Sequence, residues 1–173
     1  MRFLWGDDFT YNIFIDRDLS RAFFLLDDFQ FTGPESNYQT ARIPGGFMSY
    51  FLFVLQQFNP SPSFIYAVSA SMSGLAVLLA PFMFHRFLGI TGALFLGALL
   101  ATSMVFLEET WKLWNPSFPI LLSVLIYWSF MRYIQENRLR WLFISFALIG
   151  LSFQFHMMFV FLFIILAVIM LLL

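Results

Sequence analysis

SFIYAVSASMSGLAVLLAPFMF, residues 63–84, holds no charged side chain and closes on His85-Arg86. About 20 mostly apolar residues in helical form cross the hydrocarbon of a bilayer. This stretch therefore reads as a membrane span. On its C-terminal side, the same reading applies four more times. Residues 90–107 end at Glu108-Glu109, and residues 116–131 end at an arginine-rich turn, 132–140. Residues 141–155 end at Gln154 and His156, and residues 157–173 complete the series. On its N-terminal side lies the aromatic stretch 47–58, closed by Asn59-Pro60-Ser61-Pro62. It is too short to span and is expected to lie in the interface or re-enter it.

Composition supports this class. The 173 residues are 61% hydrophobic and 11% charged, against about 25% charged in a soluble domain. A chain of this length cannot hide so much apolar surface in its own core. The bilayer must serve as solvent, and helices satisfy their own backbone hydrogen bonds there. A transmembrane barrel would show short alternating strands instead. The expected fold is all-α: a multi-pass transmembrane helix bundle preceded by an external loop of amphipathic juxtamembrane helices. The boundaries are 1–62 for the loop and 63–173 for about five spans. The net charge of −1 speaks against a nucleic-acid partner. The absence of cysteine excludes disulfides and thiolate chemistry.

Seven of the ten acidic residues fall within the first 35 positions. Residues 10–29 fit one amphipathic helix. In it Arg17 and Arg21 are four apart and Asp18 and Arg21 three apart, so their heads share a face. Gly33-Pro34 and Ile43-Pro44-Gly45-Gly46 break the chain after it. Basic residues favour the cytoplasmic side. Alternating spans put Arg86 on the same side as Arg132, Arg138 and Arg140, which makes that side cytoplasmic. The acidic front, Lys112 to Asn115 and His156 then converge on the outer face. A chain that starts outside calls for a preceding helix. The apolar run reaching Leu173 has no polar stop, so a truncated C-terminus is expected.

The polar residues have both bland and chemical readings. Asp16 and Asp18 suit an exposed, salt-bridged helix face. A carboxylate among apolar groups is equally the type of side chain that serves as a base. The doublets Asp7-Asp8 and Asp27-Asp28 suit solvated loops, with a divalent cation as an alternative. Trp111 and Trp114 suit interfacial anchoring, and Asn115-Pro116 suits a helix start. Gln154 and His156 interrupt apolar sequence, where polar groups are costly, but one histidine makes no metal site.

The order of motifs resembles a known family. Asp18-Leu19-Ser20-Arg21-Ala22-Phe23, Phe31-Thr32-Gly33-Pro34 and Ile43-Pro44-Gly45-Gly46-Phe47 are similar to the first external loop of dolichyl-phosphate-mannose–protein mannosyltransferase-like enzymes. These are membrane glycosyltransferases of the C-type superfamily, with bacterial and archaeal members. Phe84-His85-Arg86-Phe87-Leu88-Gly89, Trp114-Asn115-Pro116 and Gly150-Leu151-Ser152-Phe153-Gln154-Phe155-His156 resemble later elements of the same family. Where many relatives have a charged residue or histidine before proline, this chain has Ile43, followed by Pro44-Gly45-Gly46.

The resemblance implies sugar transfer from a polyprenyl-phosphate donor to a lipid, glycan or protein acceptor, with inversion, at the outer face of a prokaryotic cytoplasmic membrane. It assigns the base to Asp18, with Asp16 next. Arg21, Arg42 and His156 become contacts to the leaving phosphate, and Asn115 a substrate contact. The cofactor stays open, and no protein metal ligands are assigned. The isolated segment is expected to be inactive. A transporter component or a non-catalytic membrane scaffold is the alternative. The spans 63–84 and 90–107 hold no charge of the kind a transporter needs at the midplane.

Overall fold

The computed structural model describes residues 13–24, 46–111 and 117–172, without the side chains of 13–16, 105 and 109–111. Seven helices are seen among the described residues, and no strand. They are α1 (Ile13–Phe23), α2 (Phe47–Phe58), α3 (Pro62–Thr102), α4 (Met104–Trp111), α5 (Ile120–Glu136), α6 (Leu139–Phe155) and α7 (Phe159–Leu172). The all-α class expected from the apolar runs is the observed one.

Helix α3 is 41 residues long and folds back on itself at Gly89, where φ is 69° and ψ 172°. That conformation is open to glycine and strained for any residue with a Cβ. The two legs run side by side. A Cβ added at Gly97 would stand 2.6 Å from the Pro81 ring carbon Cγ. The missing side chain at 97 is therefore what lets the legs touch. Sequence reading put the end of the first span at Phe84; the helix continues through His85-Arg86 as far as the Gly89 bend.

Residues 90–107, expected as one span, are divided at Ser103. Its backbone is extended (φ −60°, ψ 117°). Its hydroxyl accepts the Phe106 N–H at 3.4 Å and its carbonyl the Leu107 N–H at 2.9 Å. Ser103 so starts a new helix in the manner of an N-cap.

Helix α5 also differs from the expected 116–131. It begins at Ile120 and runs past Arg132 to Glu136. Asn137 stops it in the left-handed conformation (φ 51°, ψ 37°), with its N–H on the Tyr133 carbonyl at 2.8 Å. Asparagine tolerates that geometry better than most residues. Arg138 and α6 follow directly, so α5 and α6 pack as an antiparallel pair. Between them the Ser129 and Ser145 hydroxyls meet at 2.8 Å in a buried contact, as small polar residues do between apolar helices.

Of the described helices, α3 alone is long and apolar enough to cross a membrane; α2, α6 and α7 are apolar but shorter. Two packed clusters hold the helices together. One joins Ile126 and Phe130 of α5, Ile149 of α6 and Leu166 of α7. The other gathers Leu19 and Ala22 of α1, Met48 and Leu52 of α2, Ile65 and Tyr66 of α3, Phe118 before α5, and Phe155 at the end of α6. This second cluster defines one end of the bundle.

A candidate site at the aromatic end of the bundle

That end is built on phenylalanine rings. Phe47 meets Phe155 edge-on at 5.2 Å between centroids, and Phe51 meets Phe118 at 5.4 Å and Phe155 at 5.6 Å. Phe118 and Phe155 lie nearly parallel, 6.4 Å apart. Edge-to-face pairs of this kind add about 0.5–1.5 kcal/mol each beyond area burial. They fix the first turns of α2 against the start of α5 and the end of α6.

Helix α1 lies on α2. Leu19 and Ala22 point into the shared cluster. This inward face carries Asp18 with it, and its side chain is only 2% exposed. A buried carboxylate needs a partner. Arg17 supplies one: its Nε donates to Asp18 Oδ1 at 2.9 Å, and its Nη2 lies 2.8 Å from the same oxygen. This pairing is with the adjacent residue in the helix. Arg21 sits in the last turn of α1, partly buried.

Gln56 of α2 holds α1 in place. Its Nε2 donates to the Leu19 carbonyl at 3.0 Å, beside Asp18. Its Oε1 is buried and accepts no hydrogen bond from the described residues. No motif singles out Gln56; its signal in the sequence is the amide pair Gln56-Gln57 inside an otherwise apolar helix.

His156 follows Phe155 and caps α6, its N–H bonding the Ser152 carbonyl at 3.0 Å. Its Nδ1 accepts the Met158 N–H at 3.3 Å. With Nδ1 accepting, the neutral ring carries its proton on Nε2, which leaves Nε2–H as a donor. Burial pushes the His156 pKa below the usual histidine value. The ring therefore acts as a neutral donor at neutral pH.

Asp18, Arg21 and His156 belong to the described residues. The structure brings α1 and the end of α6, next to His156, into one cluster. Asp16 lies on α1, but its side chain is outside the described set, as are Arg42 and Asn115 entirely. Phe118, three positions after Asn115, is fully buried in the same cluster. Among the described residues no three His, Asp or Glu side chains gather to hold a metal. The doublets Asp7-Asp8 and Asp27-Asp28 lie outside them.

The fold and this site define a helical protein with a buried, arginine-paired carboxylate beside an aromatic end. Residues 47–173 match the dolichyl-phosphate-mannose-protein mannosyltransferase family. The chain belongs to this membrane-integral glycosyltransferase family. The match begins at α2, so α1 with Asp16 and Asp18 lies ahead of it. No curated protein and no solved structure matches the chain.

Proposed function

We propose that the protein transfers a sugar from a polyprenyl-phosphate donor to an acceptor hydroxyl or amine on a lipid, glycan or protein, at the outer face of a prokaryotic cytoplasmic membrane. Residues 1–62 form the external loop, and the helices of 63–173 form a multi-pass bundle. The observation that carries the reading is the buried Asp18 carboxylate, held on a helix that packs into the same cluster as Phe155, next to His156.

Asp18 serves as the base, with Asp16 as the second candidate. It takes the acceptor's proton as the acceptor's electron pair forms a bond to the anomeric carbon. The bond from that carbon to the donor phosphate breaks, its electrons leave with the polyprenyl phosphate, and the configuration inverts. General-base help of this kind is worth about 10²–10⁴-fold in rate. The departing phosphate gathers negative charge. Arg21 and Arg42 supply positive charge, and His156 supplies the Nε2–H donor. Asn115 contacts the substrate.

Arg17 has a separate part. Its guanidinium supplies the countercharge that the buried Asp18 carboxylate needs.

The test is transfer by the full-length protein, purified and supplied with a synthetic polyprenyl-phosphate sugar. The expected product is a glycosylated acceptor of inverted configuration together with free polyprenyl phosphate. Transfer from a nucleotide sugar, with the lipid-linked sugar left unused, would overturn the donor assignment.

A further inference from the structure

The opposite end of the bundle carries a different chemistry. Phe84 and Leu88 of α3 line one apolar groove with Tyr127 and Met131 of α5. The turn around Arg86 therefore sits at the same end as the α5–α6 turn. Arg86, Arg132, Arg138 and Arg140 share this end, and Glu136 lies among them as the acidic residue of the α5–α6 turn. Glu136 is already committed. It pairs with Arg132 and accepts the Trp141 indole N–H at 2.8 Å.

Two tryptophans complete a rigid frame. Trp128 and Trp141 meet edge-on at 5.2 Å. The Arg132 guanidinium lies over both, 5.7 Å and 5.1 Å from their centroids. Arg140 covers Trp141 at 5.0 Å, remains 57% exposed, and is only loosely drawn to Glu136 at 3.8 Å. Arg138 is exposed. The charge left over at this turn therefore belongs to Arg138 and Arg140. Leu139, between these two arginines, and Phe143, one turn further along α6, are four residues apart and 61% and 71% exposed. Residues at that spacing share a helix face.

We infer that the α5–α6 turn binds an anionic phospholipid, with Arg138 and Arg140 on its phosphate and Leu139 and Phe143 along its acyl chain. Indole rings at headgroup depth and surplus arginines beside them are the chemistry that such a headgroup meets. The exposed leucine and phenylalanine favour a lipid over a free anion, because inorganic phosphate has nothing to place against them. This site is independent of the sugar-transfer reading and stands or falls without it.

The test uses full-length protein and native mass spectrometry, after equilibration with vesicles of phosphatidylglycerol or of phosphatidylcholine. The wild type should retain phosphatidylglycerol in preference. The double variant Arg138→Gln/Arg140→Gln should lose that preference by roughly tenfold or more. Phe143→Ser should also lower retention. Helical content by circular dichroism checks that the variants fold. Equal retention of the two lipids by the wild type would overturn the inference, as would an unchanged double variant. So would loss of the preference in millimolar inorganic phosphate with Phe143→Ser unaltered, since that is the behaviour of a site for free phosphate.

Discussion

The side-chain amide of Gln56 reaches from α2 to the backbone carbonyl of Leu19 in α1, 3.0 Å away. This bond fixes the backbone beside Asp18, so the carboxylate is held by a neighbouring helix as well as by its own. Gln56→Leu removes the bond and also removes the buried Oε1 that lacks a partner among the described residues. The two effects oppose each other, and the net loss of stability is expected to be about 1 kcal/mol or less. Hydrogen exchange at the amides of α1 should rise clearly, and kcat for sugar transfer should fall more than the stability change accounts for.

The α3 hairpin rests on two glycines. At Gly97 a methyl group would press on the Pro81 ring, which has no flexible end to move aside. Gly97→Ala is expected to cost about 1–3 kcal/mol, by overpacking. Gly89→Ala would meet no neighbour, but it would force a Cβ into a positive-φ conformation, for a similar cost of about 1–3 kcal/mol. Gly74→Ala meets no neighbour and has no such backbone demand. It serves as the control. Thermal unfolding in detergent should rank both hairpin variants below it.

His156 gives a pH signature. Burial lowers its pKa in the folded state, so the unfolded chain takes up the proton first as pH falls. The folded protein should keep full stability from this group above pH about 6.5 and lose it progressively below. His156→Gln should flatten that acid-side slope. Unfolding midpoints between pH 5 and 8, for wild type and variant, check the sign.

Glu136 gives the opposite signature. The Trp141 hydrogen bond lowers its pKa, with the surrounding arginines Arg132, Arg138 and Arg140 adding to the effect. Its contribution is therefore present above the ordinary glutamate value, about 4.3, and is lost as pH falls through the lowered folded value. Glu136→Gln should be less stable than wild type at pH 7, and the two should converge in acid. Trp141 fluorescence should shift in the variant, because its indole N–H loses a charged acceptor.

The legibility of this chain followed the strength of its local signals. Helix α2 begins and ends where the sequence places it, because Pro44-Gly45-Gly46 and Asn59-Pro60 bracket an unbroken apolar run. The break after the first span is legible from His85-Arg86, while the bend itself falls three residues later, at Gly89. The break at Ser103 is not legible, since a lone serine stops a helix only when its hydroxyl turns to cap the next one. Arg132 reads as the end of a span, yet α5 extends past it to Glu136. The Arg132 guanidinium lies over Trp128 and Trp141, and Trp128, Arg132 and Glu136 follow one another at helical spacing of four.

At the site, the role of Asp18 rests on the family resemblance, and the arginine beside it in sequence, Arg17, is one that it pairs with. Spacing rules favour residues three or four apart, whereas this pair closes between neighbours at a helix edge. Gln56 answers to a contact 37 positions away in sequence, and a single sequence carries no sign of such a pairing.

In the proposed reaction the buried Asp18 carboxylate is the base for sugar transfer. Asparagine keeps the shape of the buried Asp18 side chain and drops its charge, so the fold of the variant is read beside its rate. The deciding measurement is the transfer rate of full-length Asp18→Asn with a polyprenyl-phosphate sugar, alongside its helical content and unfolding midpoint. A folded variant slowed by about 10²–10⁴-fold is the predicted result, and a folded variant within about twofold of wild type would contradict it.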